Sequence, residues 1–293
     1  MTEDWLETEA RAKVNLRLRI FPRRADGFHP LQTIFCRIDL ADRVRVRLRP
    51  EPGVSIRVSG GEPVPEAPDN LAARAAAVFL ERSAAACGAA IELHKRIPAG
   101  SGLGGGSSDA AAVLRLLAGL MGPLEPDELG RLASGLGADV AFFAADAPLA
   151  LAVERGDQLV SRRSLEARPM LLLVPDVRVS TAEAYAWWDE DHAGTADTPT
   201  AVPPALLESA RWSWSGLRSQ ARNDFEPVIF ARVPLLRSLR DKLERTQPEL
   251  ALLSGSGSAL FAVYETESRR DEAALRLDAE LEAVRVVTAR GPV

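Results

Sequence analysis

Cysteine is scarce: Cys36 and Cys87 are the only two in 293 residues. Their spacing suits neither a metal-ligand set nor a disulfide framework, so a reducing compartment is expected. Lysine is nearly as rare. Of 36 basic residues only Lys13, Lys95 and Lys242 are lysines, and arginine fills nearly every other basic position. A lysine kept against such a background hints at a need for a compact ammonium rather than a planar fork. Positive charge is not in excess, since the net charge is −5 and the sequence pI about 5.5. That argues against nucleic acid as the main partner, while leaving room for a local phosphate site. No apolar run reaches membrane-spanning length; the best stretch, 110–124, is broken by Arg115 and Pro123. The opening MTEDWLETEA is acidic and unlike a secretory leader. A cytoplasmic protein acting on a small molecule is expected, with no membrane or nucleic-acid partner. The oligomeric state is not legible.

What is present is an ordinary globular composition, 46% hydrophobic and 26% charged, on a chain long enough for one large domain or two smaller ones. Residues 12–20 alternate strictly, with Val14, Leu16, Leu18 and Ile20 on one face and Lys13, Asn15, Arg17 and Arg19 on the other. That predicts a half-buried strand. Strands are also expected over 43–49, around Val54–Val58, around Ile91–Lys95, over 170–174, over 259–264 and over 284–287. Helices are expected over 71–86, capped by Asp69 or Asn70, from Ser107 to about Met121, from Pro126 to Gly137, and over 267–283. Residues 189–204 read as a polar loop. The mixture predicts an α+β fold.

The segment Pro98–Asp109, PAGSGLGGGSSD, carries five glycines within seven residues between a predicted strand and a predicted helix. Glycine lets backbone N–H groups turn toward an anion without Cβ obstruction, and the following helix adds its positive end. A P-loop would require a Gly-Lys-Ser/Thr ending, and no lysine is there. Gly100, Gly102 and Gly105 satisfy G-x-G-x-x-G. A dinucleotide site would also need an acidic residue closing the next strand about 20 residues on, where this sequence has a helix start instead.

Pro98–Ser108 resembles the phosphate loop of the galactokinase, homoserine kinase, mevalonate kinase and phosphomevalonate kinase (GHMP) superfamily. The resemblance extends over nearly the whole chain in order. It takes in Ala12–Leu16, Arg24–His29, Leu31–Thr33, Lys95–Pro98, Gly137–Val140, Asn223-Asp224 and Leu253–Gly257. Within the superfamily these motifs are most similar to kinases of a cytidine-linked methylerythritol in the non-mevalonate route to isoprenoid precursors. The Phe-His pair favours that acceptor over homoserine or mevalonate. The resemblance implies an N-terminal ribosomal-protein-S5-like lobe (1–160), a C-terminal ferredoxin-like lobe (161–293) and an active site in the cleft between them.

It further implies ATP as donor with Mg²⁺, whose protein ligands stay unknown. Asp139 becomes the general base and Lys13 its charged companion. By spacing alone Asp139 reads equally well as a helix cap and Lys13 as a solvated strand residue. Nucleotide binding falls to Pro98, Gly100, Gly102, Leu103, Gly104, Gly105, Gly106, Ser107 and Ser108. Asn70 and Lys95 stand near it in the family, although a cap and an exposed strand residue are the plain alternatives. Substrate binding falls to Asn15, Phe28, His29, Thr181, Tyr185, Gly255 and Gly257, with Phe28 and Tyr185 as aromatic walls and His29 reading the base. The family usually has Tyr where Phe28 stands, which keeps stacking but loses a hydroxyl. Two rivals remain: a relative acting on another alcohol, and a catalytically silent nucleotide binder. Trp187, Trp188, Trp212 and Trp214 are expected in the core or in a local cluster.

Overall fold

The computed structural model describes residues 4–65, 68–84, 86–122, 124–194, 201–207 and 212–293. In chain order the elements begin β1 (Leu6–Ile20), β2 (Leu31–Arg49), β3 (Gly53–Ser59), α1 (Leu71–Arg82), β4 (Gly88–His94), α2 (Gly105–Met121), α3 (Pro126–Leu136) and α4 (Ala138–Ala144). There follow β5 (Leu149–Glu154), β6 (Gln158–Arg162), β7 (Arg168–Pro175), α5 (Thr181–Asp191), α6 (Pro204–Leu207), α7 (Trp214–Arg218) and β8 (Arg222–Asn223). The chain closes with α8 (Glu226–Arg232), α9 (Pro234–Glu244), β9 (Leu250–Leu253), β10 (Leu260–Val263), α10 (Glu267–Glu280) and β11 (Val284–Gly291). The fold is α+β. It divides into two compact units, one of 1–12, 40–99 and 104–147, the other of 13–39, 100–103 and 148–293. The long strands β1 and β2 each contribute residues to both.

In the first unit β4 pairs antiparallel with Arg43–Arg49 of β2 and parallel with β3. Val44, Val46, Ile91 and Leu93 are buried, while the alternate positions carry arginine, glutamate and histidine. Helix α2 buries almost every residue from Ser108 to Leu117, as expected of a core helix surrounded by α1 and α4. Asn70 caps α1 by accepting from the Ala72 N–H at 3.0 Å, and the helix ends at Arg82, short of the expected 86. Ala85 and Ala67 lie outside the described residues. Gly137 ends α3 and also begins α4, which brings Asp139 into a first turn.

In the second unit four antiparallel strands run in the order β11-β7-β10-β9. The central strand β7 is a continuous apolar run, Pro169–Val174, as a strand covered on both faces requires. Its Leu171 and Leu173 pack with Leu236, Leu239 and Leu243 of α9 and with Val228 and Ile229 of α8. The expected loop 189–204 begins later than predicted, because α5 runs to Asp191; residues 195–200 lie outside the described set. Helix α10 ends at Glu280, before the predicted 283, and Ala283 adopts φ +54°. Trp188, Trp212 and Trp214 are buried, and Trp187 packs at the edge of the core.

The half-buried reading of 12–20 needs correction. Lys13, Asn15 and Arg17, placed on the supposed solvent face, are each no more than 4% exposed. Alternation showed two chemically different faces, but the polar face meets protein groups rather than water.

Candidate active site

In the second unit the polar face of β1 is the centre of a hydrogen-bond network. Buried polar groups need partners, and Lys13 and Asn15 find theirs within the fold. The Lys13 ammonium donates to Asn15 Oδ1 at 2.8 Å and to the Gly102 carbonyl at 2.9 Å. Asn15 Nδ2 donates to Thr33 Oγ1 at 2.7 Å, whose hydroxyl donates to the Arg17 carbonyl at 2.9 Å. The Lys13 N–H also donates to the Leu103 carbonyl at 2.9 Å. One side chain and one backbone group of the same lysine thus grip 102–103 from β1.

The turn after β9 meets the same carbonyl, since Ser254 Oγ donates to Gly102 O at 3.0 Å. Gly102 has φ +78°, and a Cβ there would overlap the Ser254 carbonyl oxygen and reach 2.9 Å from that of Gly257. Only glycine fits. A Cβ on Gly255, at φ +57°, would stand 3.5 Å from Lys13 Nζ and 3.6 Å from Asn15 Oδ1. Thr181 joins through Ser256, Oγ1 to Oγ 3.1 Å. The structure therefore brings together Lys13, Asn15, Gly102, Leu103, Thr181, Gly255 and Gly257.

Asn223 and Glu226 support this turn. Asn223 Nδ2 donates to the carbonyls of Leu253 and Gly255, each at 2.8 Å, while its Oδ1 accepts from the Phe225 N–H at 2.9 Å. Glu226 Oε1 accepts from the Leu253 N–H at 2.7 Å, and its pKa is raised, mainly by burial. The Asn-Asp pair was visible in the sequence only as a motif; its clamping role depends on partners about 30 residues away.

A second cluster in the same unit surrounds His29. Its ring stacks on Tyr185 (centroids 4.8 Å, 16° between planes) and meets the edge of Trp188 at 5.3 Å. Nδ1 donates to the Phe21 carbonyl at 2.9 Å, since a carbonyl can only accept. Nε2 lies 3.2 Å from Asp189 Oδ1, and Asp189 is paired in turn with Arg23 at 2.6 Å. Sequence reasoning did not single out Asp189 or Arg23. Phe28 is different: it is 49% exposed, and the Arg155 guanidinium sits 3.6 Å from its ring centroid. His29 and Tyr185 are thus brought into contact, whereas Phe28 presents its ring outward under an arginine.

In the first unit the start of α2 has the form of an anion cradle. Gly104, its N-cap, lies in the left-handed region (φ +75°, ψ 19°) and offers no side-chain acceptor. Ser108 N–H makes a helical bond to the Gly104 carbonyl at 2.9 Å, so the N–H groups of the preceding turn have no intrahelical carbonyl to reach. A Cβ on Gly106 would meet nothing within 4 Å. Ser107 is half-buried, and Ser108 and Pro98 are buried. The start of α2 fits phosphate oxygens. Gly100 belongs to the second unit, where it is exposed at φ +66° with open space around it.

Beneath the cradle lies Lys95, 4% exposed, which is not the exposed strand residue of the plain alternative. Its ammonium pairs with Asp42 and, at 2.6 Å, with Asp109. Burial opposes the charged lysine, but the two carboxylates outweigh it and raise its pKa. Burial, with Asp42 adding to it, pushes the Asp109 carboxyl up to about 7 against the pull of Lys95. Neither aspartate was singled out from sequence. Asp139 stands half-buried in the first turn of α4. Among the described residues no group of three or more His, Cys, Asp or Glu side chains could hold a metal.

Comparison with known proteins decides the family. The N-terminal domain model of the GHMP kinases matches residues 70–146 and their C-terminal domain model matches 205–283. A 4-diphosphocytidyl-2-C-methyl-D-erythritol kinase of Anaeromyxobacter sp. (strain K) is 38% identical over 275 residues, 93% of this chain and 85% of that protein. The chain belongs to the GHMP kinases, in the branch of the 4-diphosphocytidyl-2-C-methyl-D-erythritol kinases. It is therefore an ATP-dependent phosphotransferase. A solved 4-(cytidine 5'-diphospho)-2C-methyl-D-erythritol kinase is 35% identical with a TM-score of 0.76, covering 98% of this chain and 99% of that one. A homoserine kinase from Cytophaga hutchinsonii (19% identity, TM-score 0.69, 99% and 95% covered) shares the GHMP kinase fold. Among the described residues no helix of this GHMP kinase is long and apolar enough to cross a membrane.

Proposed function

We propose that the protein transfers the γ-phosphoryl group of ATP to the 2-hydroxyl of 4-diphosphocytidyl-2-C-methyl-D-erythritol, giving ADP and the 2-phosphate. The observation that carries this reading is 38% identity over 93% of the chain to a kinase of that name. The buried Lys13–Asn15–Gly102 network keeps the residue types such chemistry uses. Phosphoryl transfer asks the protein mainly for positioning and charge stabilisation. The glycine segment and the start of α2 receive the phosphates through backbone N–H groups, with the hydroxyls of Ser107 and Ser108 beside them. Mg²⁺ accompanies the nucleotide and neutralises charge on its phosphates. Asp139 accepts the proton of the acceptor hydroxyl. Lys13, oriented by Asn15 and Gly102, lends positive charge to the group in transfer. His29 and Tyr185, stacked on each other, form the aromatic surface that favours a cytosine base, and Phe28 stands next to His29 in the chain. The reaction belongs in the cytoplasm, where ATP and a soluble substrate meet.

The test is ADP release from Mg-ATP with the cytidine compound, with homoserine and mevalonate as comparison alcohols. Turnover confined to the cytidine compound is the expected result, with kcat lowered at least a hundredfold by Asp139→Asn. Turnover on another alcohol alone would retain the kinase and remove this acceptor. ATP binding with no turnover on any of them would sink the reading.

A further inference from the structure

We infer that Lys95, Asp42 and Asp109 form a buried staple that positions the phosphate-binding start of α2, and that Lys95 acts through this staple rather than as a ligand of the nucleotide. The inference rests on the nucleotide reading for the identity of the anion, and on geometry for the rest.

The three side chains come from three places in the first unit. Asp42 lies on β2, Lys95 directly follows β4, and Asp109 lies on α2 one turn beyond Gly105. All are at most 4% exposed. Asp42 uses both oxygens. Oδ2 receives the lysine, and Oδ1 accepts the backbone N–H groups of Arg96 and Ile97 at 2.5 and 2.8 Å. Those two residues lead straight into Pro98 and the glycine segment. Ile97 is then pressed against the helix start, since a Cβ on Gly105 would stand 3.0 Å from Ile97 Cγ2 and 3.4 Å from Lys95 Nζ. Asp109 closes the staple by receiving the same ammonium at 2.6 Å.

Two features mark this as more than incidental packing. A buried carboxylate pair sharing one ammonium is costly, so its partners must be held in place by geometry. Asp109 Oδ1 is buried with no hydrogen-bond partner, so the side chain is held through its contacts with the Lys95 ammonium at 2.6 Å and with the neighbouring Asp42 carboxyl. The staple therefore sets where the first N–H groups of α2 point, and a phosphate senses those groups while a nucleoside does not.

The experiment measures ADP and adenosine affinities by calorimetry, and amide hydrogen exchange over 104–109, for the wild type, Lys95→Met, Asp109→Ala and Asp109→Asn. Lys95→Met and Asp109→Ala are expected to weaken ADP about tenfold, leave adenosine within about twofold and speed exchange at the helix start. Asp109→Asn keeps an acceptor for the lysine and should stay within about threefold of wild type for ADP. Equal losses of adenosine and ADP in Lys95→Met would make Lys95 a nucleoside ligand and overturn the inference. Wild-type exchange over 104–109 in a folded Asp109→Ala would overturn it too, and that measurement needs no ligand. If the wild type binds neither ADP nor adenosine, the nucleotide reading fails, while the exchange measurement still decides the staple.

Discussion

Gly102 and Gly106 stand four residues apart in one glycine run, yet they are glycine for opposite reasons. Gly102 is in the second unit with a left-handed backbone, and the carbonyls of Ser254 and Gly257 occupy the space a Cβ would need. Gly106 is in the first unit, within α2, and a Cβ there would point into open space. The protein's own packing requires the first glycine. No protein atom lies within 4 Å of a Cβ at the second, so packing leaves room for a side chain that would stand in the way of the phosphates proposed to bind there. A glycine count cannot separate the two; the neighbours of the missing Cβ can.

The largest expected effect tests the filled position. Gly102→Ala combines a backbone overlap with a left-handed φ, and should cost about 3 kcal/mol or more in a denaturant titration. A loss below about 1 kcal/mol would mean that the 253–257 turn yields easily, and the contrast with Gly106 would collapse.

An intermediate effect concerns what lies beneath the open position. In the fold Asp109 holds its proton up to about pH 7, well above an unfolded carboxyl near 3.8. The folded state binds more protons in that window, so this group favours the fold fully below about pH 4. The advantage is lost as pH rises through about 7. Asp42 and Lys95 face the same group, and the lysine stays charged throughout, its pKa being raised. Relative to Asp109→Asn, the wild type should lose on the order of 2 kcal/mol between pH 5 and 7. Parallel stability curves for the two proteins would show that the carboxyl is not perturbed by its burial.

How much of this was legible in the sequence follows the same division. The glycine segment could be read because a missing Cβ is a local property, and so could the Asn70 cap, whose partner is two residues away. The Lys13 face is legible as the polar face of a half-buried strand, with a solvated and a functional role both open by spacing alone. Period-two alternation reports that two faces differ, and leaves open what covers the polar one. Asp42 and Asn223 were missed as anchors because their partners lie about 54 and 30 residues away, across turns that only the fold closes. Lys95 was noticed for its rarity, yet its two carboxylates were not, since acidic residues are common in this chain. The strands and helices expected from periodicity and capping lie within a few residues of their places, whereas β5, β6, β9, α5, α8 and α9 were not read from the sequence, and neither were the buried polar partnerships.

The smallest expected effect separates the two glycines most cleanly, because stability and binding should move in opposite directions. Gly106→Ala places a methyl where no protein atom lies within 4 Å, in a helix where alanine is favoured over glycine. Stability should hold or rise by up to about 0.5 kcal/mol, less than the interior value because the position is near the helix start. ADP affinity should nevertheless fall, about tenfold, because the methyl occupies the approach to the first-turn N–H groups. A stability loss like that of Gly102→Ala would make both glycines packing residues. Unchanged ADP affinity in a stable Gly106→Ala would move the phosphates away from this turn and leave Gly106 without a reason to be glycine.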